Sequence, residues 1–130
     1  MPILGFKTGS EKKKETKDRQ QLIENLKGIS RRIGNACRLS EEMSFGMAIR
    51  ELHENMPDIQ EVLKRTGDKK WRIESIRHAT KLSGEVNYVF KLTPGSRKEY
   101  MKNFMAEGSG NPLTKEIYWL ENYLEGKTCS

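Results

Sequence analysis

Apolar and polar residues follow two different rhythms along this chain, and the rhythm predicts the elements. Towards both ends it is helical. Leu22, Leu26, Ile29 and Ile33 recur at intervals of four, three and four, one stripe of an amphipathic helix. Gly28 and Gly34 weaken that helix, and Gly34 is read as its end. Ser40 ahead of Glu41 and Glu42 is a helix start. Phe45, Ile49, Leu52 and Met56 form the stripe it launches, with Met47 and Ala48 beside it. Pro57 ends that helix and opens another, in which Ile59, Val62 and Leu63 pack and Gly67 supplies the stop. Further on, Thr93, Pro94 and Gly95 make a turn. Ser96 and Glu99 then form a capping box for a helix carrying Tyr100, Met101, Phe104 and Met105. Gly108, Ser109 and Gly110 break the chain. Asn111 and Pro112 open a last helix with Leu113, Ile117, Leu120 and Leu124 in register, closed by Gly126.

The middle of the chain has a different period. Over residues 69–93, Val86, Tyr88, Phe90 and Leu92 fall on one side, and Asn87, Val89 and Lys91 on the other. Alternation rich in β-branched and aromatic residues predicts a half-buried strand. Trp71 and Ile73 share one face of an earlier strand, whose phase slips at Ile76, so a bulge is expected near Glu74 or Ser75. Leu82, Ser83, Gly84 and Glu85 give the connecting turn, with positive φ at Gly84. The expected fold is therefore α+β: helices at both ends around a central antiparallel β-hairpin, with Ile3, Leu4 and Phe6 as a candidate third strand.

The order helix, helix, helix, strand, strand is also that of a winged helix-turn-helix, with the hairpin as wing. In that topology the third helix offers its N-terminal residues to the bases. Here those are Asp58, Gln60 and Glu61, preceded by Glu51 and Glu54, and carboxylates are repelled by phosphates. Base reading by this helix is disfavoured.

A length of 130 residues is one domain's worth. Residues 20–126 form that domain, residues 1–19 a basic, partly disordered arm, and residues 127–130 a tail. The sequence contains no apolar run of the ~20 residues that span a bilayer, and no signal peptide is expected. Cys37 and Cys129 lie far apart and match neither a disulfide framework nor a zinc spacing, which points to a reducing intracellular compartment, cytoplasmic or nuclear. The net charge of +6 favours anionic partners. It is distributed in blocks: residues 1–39 and 62–102 carry +6 and +7, residues 40–61 and 103–130 carry −5 and −2.

The second basic block holds the candidate chemistry. Lys69, Lys70, Arg72, Arg77, Lys81 and Lys91 lie along the expected hairpin with Trp71 among them, and Arg97, Lys98 and Lys102 follow. Cations that neutralise phosphates, with an aromatic ring to stack, suit sequence-tolerant nucleic-acid binding. The competing account packs Trp71 into the core and uses the lysines to keep a sheet edge unpaired. Lys12, Lys13, Lys14, Lys17 and Arg19 are a second basic candidate, for nucleic acid, an acidic protein, an anionic membrane or an import receptor, or for solubility alone. Tyr118, Trp119 and Tyr123 on the last helix are candidates for a homodimer or partner contact, the competing account being that they cap the domain's own core. Catalytic motifs are lacking. His53 lacks the second histidine of a zinc-protease motif, His78 stands alone, and Glu74 with Glu85 reads as a cross-strand pair. No metal or cofactor is expected. The function expected is that of a small non-enzymatic nucleic-acid-binding accessory protein. The alternative is a matrix- or adaptor-like module using the lysine arm and the aromatic last helix.

Overall fold

The computed structural model describes residues 9–65 and 69–127, with side chains from residue 17 onward. The described residues form five α-helices and one short 3-10 turn, with no strand among them. These are α1 (Gly9–Arg38), α2 (Glu42–Arg65), α3 (Lys69–Phe90), α4 (Pro94–Glu107), the turn Gly108–Gly110, and α5 (Pro112–Leu124). The α+β expectation is overturned, and with it the β-hairpin, the bulge near Ser75 and the winged-helix topology. The expected strand at Ile3, Leu4 and Phe6, the stop at Gly67 and Cys129 in the tail lie outside the described residues.

The stretch read as a hairpin is the single helix α3, and its buried residues explain why. Ser75, Ala79, Leu82, Val86 and Val89 face the core at intervals of four, three, four and three. Two members of that stripe, Ser75 and Ala79, are too small to register as hydrophobic positions. Ile73, Tyr88 and Phe90, which set the apparent period of two, lie off the stripe and are exposed. Gly84 occupies an exposed position in mid-helix and not a turn.

Short links make successive helices antiparallel neighbours. Between α1 and α2, Asp18 pairs with Arg65 at 3.9 Å and Arg32 with Glu51 at 2.6 Å, so one sequence runs up as the other runs down. His53 of α2 stacks on Phe90 at the end of α3, with ring centroids 4.3 Å apart. Helix α5 begins where Asn111 meets Tyr100 and ends with Glu125 beside Lys27, at 3.0 Å. Helices α1, α2, α3 and α5 thus close a four-membered ring, each packed on the next, and α4 lies against α1 and α2 at the end where they are joined. Inside the ring Leu26, Ile29, Ile33, Phe45, Ile49, Leu52, Leu63, Leu82, Val86, Leu113 and Leu120 are fully buried. At ~1.5–3 kcal/mol for each large side chain removed from water, this core dominates the stability.

The helix ends show where local signals were overridden. Proline in a helix interior costs ~3 kcal/mol, yet α2 continues through Pro57. Met56, Ile59, Val62 and Leu63 are buried on either side of it and hold the helix together. Helix α1 likewise runs past Gly34, because Ala36 and Cys37 are buried. Ser40 does not start α2; it ends α1. It takes a left-handed conformation (φ 55°), its N–H donates to Cys37 C=O (3.2 Å) and the next N–H, of Glu41, to Ala36 C=O (2.8 Å). This is a Schellman motif, in which that position is usually glycine. Gly126 (φ 79°) fills the equivalent place after α5, as read from the sequence. Helix α4 starts at Pro94, three residues earlier than the Ser96 capping box implies, with Thr93 as its cap, the hydroxyl accepting from Ser96 N–H at 3.4 Å. Asn111 caps α5 as expected, accepting from Leu113 N–H at 2.9 Å and Thr114 N–H at 3.4 Å.

Candidate nucleic-acid interface on the outer face of α3

With the core stripe of α3 turned inward, the helical repeat brings Lys70, Ile73, Arg77, Lys81, Gly84, Tyr88 and Lys91 to the opposite face, and every one of them is exposed. Lys70, Arg77, Gly84 and Lys91 stand seven residues apart, two turns each, so they form one row. Lys69 sits at its head, and Tyr88 lies between Lys81 and Lys91, next to Gly84. Ile73 is 75% and Tyr88 58% exposed, unusual values for large apolar or aromatic side chains.

The electrostatics of this face are simple. Helix α3 contains two acids, Glu74 and Glu85. Glu74 accepts from Arg77 (Nε at 3.2 Å, with a second, shorter bond from Nη2). That hydrogen bond, with the nearby Lys81 adding to it, holds its carboxyl below the usual range. Glu85 is turned away, accepting from the Tyr100 hydroxyl at 2.7 Å. The two carboxylates are thus not the cross-strand pair expected, being eleven residues apart on one helix. Lys70 also lies over the ring of its neighbour Trp71, 5.8 Å from the centroid. The exposed acids of α2 lie elsewhere: Asp58 and Glu61 line the groove between α2 and α1 with Asp18 and Gln21, and Glu54 pairs with Arg50 at 3.4 Å.

Other candidates from the sequence lie elsewhere. Trp71 is partly buried against the core and is not an exposed stacking ring. Arg72 is half-buried. Arg97 points inward: Nη1 donates to Glu42 Oε1 at 2.8 Å and Nη2 to Leu92 C=O at 3.2 Å. It ties the start of α4 to the start of α2 and the end of α3. Gly46 makes room for it, since a Cβ there would stand 2.9 Å from Nη1. Lys98 belongs to a separate surface with Arg38 and Lys102. In the basic arm, Lys17 is exposed and Arg19 half-buried, while the side chains of Lys12, Lys13 and Lys14 lie outside the described residues.

The aromatic trio of α5 divides. Tyr118 is 65% exposed, but Trp119 lies between His78 (4.0 Å, 18°) and Tyr123 (5.5 Å, 15°) in a continuous stack, and Tyr123 is buried. His78 Nδ1 is hydrogen-bonded to the Glu116 carboxylate, and both side chains are nearly buried. This pair pins α3 to α5, with no nucleophile hydrogen-bonded to it among the described residues. No group of three or more His, Cys, Asp or Glu is placed to hold a metal ion, and no helix is long and apolar enough to cross a membrane, among the described residues.

The residues missed from the sequence are Tyr88 and Gly84. The signal for them was the seven-residue spacing of Lys70, Arg77, Gly84 and Lys91, which has meaning only on a helix. Comparison with protein families, with characterised proteins and with solved structures finds no match to this chain.

Proposed function

We propose that this chain is a non-enzymatic, intracellular accessory protein that binds nucleic acid with little sequence preference on the outer face of α3. The observation that supports this is the cation row itself. Lys69, Lys70, Arg77 and Lys81 share one exposed face along a 22-residue helix, ~33 Å long, with Lys91 just past its end, and Glu74 is the one carboxylate of α3 turned towards them. Such a row costs some stability through self-repulsion and is relieved by a polyanion. Tyr88 adds a ring on which a base can stack, so single strands, whose bases are free, are the favoured form. Gly84 leaves open space beside that ring, with no heavy atom within 4 Å of where a Cβ would be.

The test is fluorescence anisotropy with a labelled single strand and its duplex over rising salt. Affinity falls steeply with salt, and Lys81→Ala and Lys91→Ala each reduce the log–log slope by about one. Tyr88→Ala weakens single-strand binding by ~1–3 kcal/mol and leaves duplex binding nearly unchanged. Absence of binding at low salt, or variants indistinguishable from the parent, dismisses the reading.

A second reading, self-association or a protein partner, is favoured by the corner between α1 and α2, where Leu39, Met43 and Met47 are all exposed. Sedimentation velocity separates the two. A dimer dissolved by Met43→Glu supports the second reading, and a monomer at every concentration removes the homodimer.

A further inference from the structure

A second concave site lies where α4 packs against the end of α1. Cys37, Arg38 and Ser40 from one side and Lys98, Met101, Lys102 and Met105 from the other enclose a groove of about 460 Å³. That is the size of a small-molecule pocket. Its composition is split by depth. Met101 and Cys37 are buried and form an apolar floor, extended by the half-exposed Met105. Burial pushes the Cys37 thiol up to about 11, so the floor carries no charge at neutral pH. Arg38, Lys98 and Lys102 stand exposed at the mouth.

No carboxylate lines the groove. The one hydrogen bond described for Arg38 is from Nη2 to the Asn35 amide oxygen, at 3.4 Å. The packing of α4 on α1 is supplied by Met101, so these three cations are not required by the fold. Like charges gathered at one mouth repel each other, and an anion between them reverses the sign of that interaction. A purely ionic ligand leaves the methionine floor unused, whereas methionines adapt well to a flexible chain.

We propose that this groove binds a single-chain anionic amphiphile, with its headgroup among Arg38, Lys98 and Lys102 and its chain along Met101, Met105 and Cys37. Acyl carboxylates and alkyl phosphates share this chemistry. The source is the free monomer and not a bilayer surface. Membrane-surface binding uses a protruding apolar face, whereas here the floor is recessed behind the charges. The site uses different cations from α3 and stands independently of the nucleic-acid reading.

Isothermal titration calorimetry of the full chain with dodecanoate and with dodecyl phosphate tests this. Expected are saturable binding at one site, at least tenfold weakening in Lys98→Ala/Lys102→Ala, and retention in Lys98→Arg/Lys102→Arg, with unchanged circular dichroism. Dodecanol and inorganic phosphate, each offering half of the ligand, bind at least tenfold more weakly. Several results overturn the proposal: no saturable binding of either dodecyl anion, equal binding by the alanine variant, or inorganic phosphate binding as tightly as dodecyl phosphate. Sedimentation with anionic phospholipid vesicles without monomer binding overturns it in favour of a membrane surface.

Discussion

Replacing Gly84 with alanine adds one methyl group to the solvent-facing side of α3, where it meets no heavy atom within 4 Å. In an exposed helix interior alanine is favoured over glycine by ~1 kcal/mol, because glycine loses more backbone freedom on folding. Had Gly84 occupied a hairpin turn at positive φ, the same methyl group would clash with the backbone and cost ~1–2 kcal/mol. The two folds therefore predict opposite signs. Urea unfolding followed by circular dichroism reads the difference directly. The helix predicts a raised midpoint with an unchanged slope, and a melting temperature higher by ~3–5 °C for a chain of this size. A lowered midpoint refutes the helical placement of Gly84. The same variant bears on function, since the added Cβ intrudes on the space beside Tyr88. Gly84→Ala is expected to gain stability and lose single-strand affinity together. A gain in stability with affinity unchanged leaves the helix intact and removes Gly84 from the binding surface.

Three further outcomes follow from the packing. Arg97→Ala leaves the Glu42 carboxylate, whose side chain is 18% exposed, without its partner and removes the bond to Leu92 C=O. It is expected to cost ~2 kcal/mol in urea unfolding while nucleic-acid affinity stays unchanged in anisotropy. Ser40→Gly relieves a left-handed residue at the end of α1 and is expected to stabilise by ~1 kcal/mol in calorimetry; destabilisation contradicts the Schellman geometry. The Tyr100 phenol is raised well above its ordinary value, by burial first and then by its hydrogen bond to Glu85. Its contribution is complete below about pH 10, where the unfolded chain's tyrosine begins to ionise, and is lost as pH rises further, because the folded state then holds more protons than the unfolded one. Stability measured across that range should fall, and should fall less steeply in Tyr100→Phe.

Much of the helical architecture was legible from the sequence. The stripes of α1 and α2 and the Asn111 and Gly126 caps of α5 depend on side chains within a few residues of each other. Helix α3 was not legible. Its core face relies on Ser75 and Ala79, small enough to let helices approach but invisible to a count of large apolar residues, while Tyr88 and Phe90 mimic a strand. The continuous α2 was hidden for a related reason: Pro57 announces a break locally, and buried neighbours outweigh it. The candidate site was half visible. Lys70, Arg77, Lys81 and Lys91 are exposed, and on the bulged hairpin they would also have shared one face, opposite Trp71, Ile73 and Ile76. What the helix adds is Gly84 and Tyr88, which the strand pattern placed in the turn and on the side of Val86 and Phe90. Arg97 looked like its neighbours in sequence, and nothing local announces that Glu42, 55 residues away, holds it inside the fold.

Where nucleic acid lies on this molecule is read most directly from amide chemical shifts as a single strand is titrated into isotope-labelled protein. The proposal predicts that the perturbations cluster at Arg77, Lys81, Gly84, Tyr88 and Lys91, with Arg97 and the α5 ring stack unaffected. Perturbations centred on another helix, or none at low salt, contradict it.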